Sequence, residues 1–465
     1  MSKIEVNTVE PQCGTTLTLG ASGDTVSIAS GAKMSGVGTV SWQTSIKTAT
    51  FTAASGEGYF CNTSGGAFTV NLPSSPSVGD IVAIKDYGSS FATNNLTIGR
   101  GGSNLNGDAA DNVRDTDNES LTLVYADATK GWLAVEEGTG FIGESFITAT
   151  GGTITTSGND KIHTFTGPGT FTVCTTASSA ANNIVSYVVV AGGGGGGNWF
   201  YGGGGGGGGF REVKNPVNPY TASPLDGYPS APNRVTVTAQ GYPITVGGGG
   251  ASPGSPPSGG EPGVQGSTST FSTISSAGGG FGGARPGNSG CGPGGNGGSG
   301  GGGTGGPGPS GQKAGGTGNT PPVSPAQGTN GGEGSPGCQA PQGGLGGSGG
   351  GATVAGTQPT TNGTAPAAAG GAGATSSING TPTARAGGGG GGSNACGSLA
   401  GGAGGAGGGG NGAGRGNSSP TPVEASAGTA NTGGGGGGAS HPCQGGCFSG
   451  KAGGSGIVII RYKFQ

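Results

Sequence analysis

Apolar and polar residues alternate in short runs across residues 41–138. The runs Ile46–Phe51, Gly58–Asn62, Ala67–Leu72, Ile81–Lys85, Asn95–Ile98, Leu121–Tyr125 and Trp132–Val135 read as strands, with Pro, Gly and Asn between them. That grammar predicts a small β-sandwich or jelly-roll-like domain, with Trp132 in its core. Residues 145–190 continue the pattern through Phe146–Thr148, Gly152–Thr156, Lys161–Phe165 and Thr170–Val173. Two runs differ: Ile184–Val190 and Gly456–Tyr462 are almost unbroken apolar stretches, as strands buried on both faces are. Val235 and Val237, then Tyr242, Ile244 and Val246, read as a hairpin-like pair. Before residue 41, Thr16–Leu19 and Thr25–Ile28 alternate around a Gly-Ala-Ser-Gly-Asp turn. Such short strands cannot bury a face alone, so they need partners, and copies around a threefold axis would supply them.

Between the two apolar runs lies a glycine field, 191–455, with no helical or strand period over most of its length. Gly and Pro number 122 and 29 of 465 residues, a composition that reads as disorder by default; no G-X-Y repeat makes it collagen. The flanking strands argue for order: if they pair, the field is one excursion whose ends are pinned together. Ordered glycine costs roughly 0.5–1 kcal/mol relative to alanine and buries no side chain, so backbone hydrogen bonds must offset it. Extended threefold helices of glycine project N–H and C=O sideways and can satisfy one another when packed together. The expected fold is therefore all-β with essentially no helix. An N-terminal β segment (1–40) precedes a β-sandwich (41–140) and a glycine-rich domain (141–465), in which a β base (145–190, 233–247, 456–464) carries a packed polyglycine II bundle.

Charge sharpens the division. Residues 1–190 carry 8 basic and 16 acidic side chains, and 191–465 carry 10 and 5. Charged residues are only 8% of the chain and show no Lys/Arg cluster, which argues against nucleic acid as a partner. Met1–Val6 has no apolar signal core and no stretch approaches 18 apolar residues, so synthesis in the cytoplasm without a membrane span is expected. Eight scattered cysteines include no CxxC; Cys443 and Cys447 are spaced for a local disulfide outside a reducing cell, with free thiols the alternative.

Catalytic chemistry has little to build on. The histidines are His163, in a strand-like run, and His441, in a turn beside Cys443 with no third orienting group nearby. Asp108, Asp111, Asp115, Asp117 and Glu119 offer oxygen ligands but lack the glycine and closing glutamate of an EF-hand; a solvated loop is the plainer reading. No cofactor is implied. Recognition has better candidates: Trp199, Phe200 and Tyr201 interrupt polyglycine, and Phe210, Tyr220 and Tyr228 follow in a proline-rich stretch. Exposed aromatics stack on sugars or fill receptor pockets at low entropic cost; the competing reading is that they cover the glycine bundle or join subunits. Ser376–Asn379 and Cys443–Phe448 are alternative loops.

The succession Tyr187–Ala191, polyglycine, an aromatic break, polyglycine, Tyr242–Gly247, further glycine blocks and Gly453–Tyr462 resembles the glycine-rich domain of bacteriophage tail-fibre and adhesin proteins. Lys3–Thr8, Phe68–Pro73, Gly79-Asp80, Ile84–Asp86, Leu123–Tyr125 and Gly131-Trp132 resemble virion fibre proteins of marine phages, including those of cyanobacteria. The resemblance implies a non-enzymatic virion appendage. Its subunits would form a homotrimer anchored to tail or baseplate proteins through their N-termini, and its tip would meet a bacterial polysaccharide or outer-membrane protein. A head fibre or capsid decoration protein is the rival. The sequence departs from the adhesins in its prolines at 253, 256, 257 and 262 and in its aromatic-poor loops.

Overall fold

A computed structural model describes residues 40–138, 145–254, 260–285, 292–305, 313–335, 344–360, 367–393, 399–415, 422–440 and 448–465. Cys443 and Cys447 lie outside the described residues, as do Thr16–Leu19 and Thr25–Ile28. The chain divides into two units, the break falling between Gly143 and Glu144. The fold is all-β: helical turns among the described residues are confined to Ala180–Asn183 and Ala231–Asn233.

In the first unit two sheets share one core built on Val70, Leu72, Val82, Leu96, Ile98 and Trp132. One sheet runs Ser41–Trp42, Glu57–Cys61, Ile81–Asp86, Ser120–Asp127, Gly131–Gly138; the other runs Phe51–Thr52, Phe68–Asn71, Leu96–Gly99, Asn112–Arg114. The chain alternates between them, and the neighbours within each sheet are parallel until Asn112. Only the last strands pair antiparallel. The two faces pack as in a sandwich, but the winding is that of a short solenoid and not of a jelly roll. Strand spacing alone does not encode direction: each Gly/Pro corner here carries the chain across to the other sheet. The expected strand Ile46–Phe51 shrinks to Phe51–Thr52 and an isolated bridge at Lys47. Asn112–Arg114 carried no signal, because its single apolar residue, Val113, faces solvent.

The second unit is organised by a sheet of order Thr153–Ser157, Asp160–Phe165, Ile457–Lys463, Ile184–Val190, Phe210–Val213. The two apolar runs are therefore neighbours, antiparallel, with Val190 opposite Ile457 and Ser186 opposite Arg461. The ends of the glycine field are pinned to each other at the centre of a sheet. A second antiparallel sheet, Thr148–Thr150, Gly169–Thr175, Gly241–Thr245, Ser269–Phe271 and Ile274–Ser276, packs on one face through Phe171, Tyr187, Phe271, Val458 and Ile460. The other face carries Ile162, Val188, Phe210 and Ile459 against the hairpin Ala374–Ser376/Thr383–Arg385. The hairpin expected between Val235 and Val246 does not form: Val235–Thr236 pairs with Ile184-Val185 and Gly241–Thr245 with Gly169–Thr172.

From Val190 the chain enters a block of extended runs. Gly192–Gly197 donate in rotation to three neighbours: to Ser267, Gly454 and Gly206, then to Val264, Lys451 and Gly203, all at 2.9–3.0 Å. Each partner recurs after three residues and three positions earlier, so the helix has three residues per turn and these neighbours are antiparallel. The carbonyls of the same run accept from Gly279, Gly250 and Gly436, then Gly282 and Ala439, along parallel neighbours. Six runs thus surround one, the arrangement of packed polyglycine II, in which every inner N–H and C=O finds a partner. None of Gly192–Gly197 or Gly202–Gly209 takes the positive φ that lets glycine wind the other way, so the helices are left-handed. In outer runs every third residue turns inward: Gly402 and Gly405 are buried while Ala403 and Ala406 are exposed.

Candidate recognition surface

At roughly 3.1 Å per residue, Gly192–Gly197 carries the chain about 20 Å from the sheet to a turn at Asn198–Tyr201. Asn198 is fully buried there. Its amide donates to the carbonyls of Pro253 (2.8 Å) and Gly254 (2.7 Å), and its Oδ1 accepts from the Gly450 N–H at 3.3 Å. One side chain thus ties three runs together where the first of them ends. Trp199 and Tyr201 both sit in the left-handed region, at φ 67° and 56°. Bulky residues rarely go there, and such a conformation persists only where the surroundings enforce it. Enforcement is visible: the Tyr201 carbonyl accepts from Thr304 Oγ1 at 3.1 Å, and a Cβ on Gly260 would collide with that of Trp199.

The result is a held cluster. The Trp199 and Phe200 rings meet edge to face at 5.1 Å, and Phe200 and Tyr201 lie 6.2 Å apart. All three are half-buried. Hydrogen bonds between Gly260 and Arg285, and from Gly202 to Ala439, bring the flanks of neighbouring runs to the same end.

The remaining candidates go elsewhere. Phe210 must be withdrawn as a contact residue: it is 1% exposed, opposite Val190 in the sheet and packed in the core. The strand Phe210–Val213 escaped the sequence reading because it follows glycine directly and alternates only briefly. Tyr220 is half-buried, its ring 5.2 Å from the Arg461 guanidinium and its hydroxyl donating to the Val213 carbonyl at 3.4 Å; burial pushes that hydroxyl's pKa up. Tyr228 lies under Arg234 at 4.4 Å. Both belong to the segment where Val235 pairs with Val185, at the end of the sheet remote from the glycine block. They do not join Trp199. Ser376 and Ile378 are buried in the base hairpin.

What the sequence reading missed is a buried polar network beneath that hairpin. Arg461 Nε donates to Asp160 Oδ2 at 2.6 Å across 301 positions, and Asn218 donates to Asp160 Oδ1 at 3.0 Å. Glu212 accepts from the Ser376 hydroxyl (2.6 Å) and the Ser223 N–H (2.8 Å), and burial raises its pKa. The usable signal was a lone arginine inside the apolar run Ile457–Tyr462. His163 is also interior: Nδ1 lies 2.7 Å from the Gly151 carbonyl and Nε2 3.1 Å from the Tyr462 hydroxyl, with burial lowering its pKa.

Residues 164–463 match the model of the glycine-rich domain family. The chain belongs to the glycine-rich domain family. Its polyglycine II block and the strands that pin it fall within that match. No curated protein matches the sequence.

Proposed function

We propose that this glycine-rich protein is a bacteriophage virion subunit, a tail-fibre adhesin that attaches the particle to its host. In this reading it is a homotrimer joined to the tail through its N-terminal segment, it acts by binding and not by catalysis, and it meets a polysaccharide or an outer-membrane protein. The observation that carries the reading is the half-buried Trp199–Phe200–Tyr201 cluster, with Trp199 and Tyr201 in strained backbone at the end of a hydrogen-bonded block. Three aromatic rings fixed before contact lose little entropy when a partner covers them. A packing role alone gives no reason to hold Trp199 and Tyr201 at positive φ and leave all three residues short of full burial.

The test is saturable binding of the labelled full-length protein to candidate host cells, compared with a Trp199→Ala/Tyr201→Ala variant of matched thermal stability. At least tenfold weaker binding by the variant is expected, since buried aromatic anchors are typically worth about 2 kcal/mol or more. Equal binding by both proteins removes the aromatic cluster from the reading. Immunolabelling on the capsid instead of the tail turns it into a head-fibre reading.

A further inference from the structure

The first unit contains an open pocket of about 220 Å³ lined from both of its sheets, beside the strand Asn112–Arg114. Its floor is aliphatic, made by Ile98, Leu105, Leu121 and Leu123, all buried. Its rim is polar: Asn106, Asp108, Asp111, Asn112 and Arg114. Few of these rim groups are used by the protein. Asp111 Oδ1 accepts from the Arg100 N–H at 3.0 Å and Asn106 Oδ1 from the Ala134 N–H at 3.3 Å. The Asp108 carboxylate and the Asn112 carboxamide have no protein partner among the described residues, and the second Asp111 oxygen and the Asn106 amide hydrogens are likewise free of one; all four side chains are exposed and so open to a ligand from solvent. Arg114 forms the remaining wall. Glu119 (2.7 Å) and Glu137 (3.1 Å) fix its guanidinium and neutralise it, while its Nε is buried without an acceptor.

The chemistry of this lining selects among ligands. Two carboxylates repel an anion. A divalent cation needs more oxygen ligands than an aliphatic floor leaves room for, and no group of three or more acidic, His or Cys side chains among the described residues is placed to hold a metal. An apolar ligand would strand the rim groups without hydrogen bonds, a costly outcome when they are desolvated. What remains is a compact neutral molecule with one C–H face and many hydroxyls, each able to donate to Asp108 or Asp111 and accept from Asn106 or Asn112. The geometry points to a monosaccharide-binding site here, accepting one neutral hexose unit, free or within a glycan. The site is separate from the Trp199 cluster.

Saturation-transfer NMR of the full-length protein carrying Trp199→Ala/Tyr201→Ala, so that the aromatic cluster contributes no sugar binding, with millimolar methyl glycosides of glucose, galactose, mannose and N-acetylglucosamine tests it. At least one glycoside is expected to receive saturation, strongest at the ring C–H protons that face the aliphatic floor. In Asp108→Ala/Asn112→Ala on that background the transfer should fall at least tenfold with the thermal midpoint unchanged, and with Val113→Ala, the exposed residue of the same strand that is not part of the lining, it should persist. No transfer to any of the four glycosides overturns the assignment. Transfer that survives Asp108→Ala/Asn112→Ala, or disappears with Val113→Ala, overturns it too, because binding then does not depend on this lining.

Discussion

The glycine requirement of the packed block is one of space and not of dihedral angle. The inner glycines keep a negative or extended φ, which any residue can adopt, but a Cβ on Gly205 would overlap the Gly194 carbonyl, and one on Gly194 the Gly280 carbonyl. At Gly248, on the outside, a Cβ would meet nothing within 4 Å. Gly205→Ala is therefore expected to cost about 4 kcal/mol or more, at the upper end for single substitutions, because backbone on several sides would have to part. Gly248→Ala should be neutral or stabilise by up to about 1 kcal/mol, by restricting the unfolded chain. Chemical denaturation of the two variants checks the pair, and equal effects would mean the block is not packed as described. The sequence announced glycine but not which glycines: the exposed and enclosed ones are chemically identical, and only the lattice separates them.

At the scale of elements, two buried titratable groups on separate strands of one sheet set limits in opposite directions. His163 is neutral in the fold because burial lowers its pKa, against a hydrogen bond to the Gly151 carbonyl that raises it. The unfolded chain takes up a proton near pH 6.5, so the stability contributed by neutral His163 is complete above that pH and is lost as pH falls below it. Glu212 is the reverse case: burial raises its pKa, against the hydrogen bonds from Ser223 and Ser376 that lower it. Its contribution is complete below about pH 4.3, the unfolded value, and is lost as pH rises through the higher folded one. Thermal midpoints against pH should thus fall on acidification below about 6.5. His163→Gln should flatten that limb. Glu212→Gln should raise the midpoint at pH 8, with its amide donating to Ser376 Oγ and its carbonyl keeping the Ser223 N–H. A pH 8 midpoint lower than wild type would show that the charged carboxylate is an asset. Much of the element plan was legible: the two apolar runs as buried strands, Trp132 as core, an aromatic cluster interrupting polyglycine. Strand direction in residues 41–99 was not, because alternation reports which face is buried and says nothing of which neighbour a strand joins. Phe210 was misread for a related reason, since an aromatic after polyglycine looks unpartnered until the partner strand at Val190 is known.

For the whole molecule, the decisive contact is the one that returns the chain to its start. Ile457–Lys463 lies between Asp160–Phe165 and Ile184–Val190, pairs with both, and buries Val458, Ile459, Ile460 and Tyr462 on the two faces of the sheet. It also brings Arg461 to Asp160 in an interior where both side chains are almost wholly enclosed. The run 448–456 before it supplies acceptors to Gly193 and Gly196 inside the block. Removing residues 456–465 should therefore unfold the glycine-rich unit as a whole, leaving residues 40–138 intact as a separate unit. Limited proteolysis should then yield a resistant fragment of the first unit only, whereas the full chain gives two. A milder variant isolates the ion pair: Arg461→Met strands the Asp160 carboxylate and is expected to cost about 3–5 kcal/mol, while Asp160→Asn/Arg461→Met should recover part of that loss. If the truncated protein keeps a protease-resistant glycine-rich unit, the block is held by its own lattice and the closing strand is an accessory. If Arg461→Met alone proves neutral, the strand holds through its apolar face and backbone pairing, and the buried pair contributes register instead of stability.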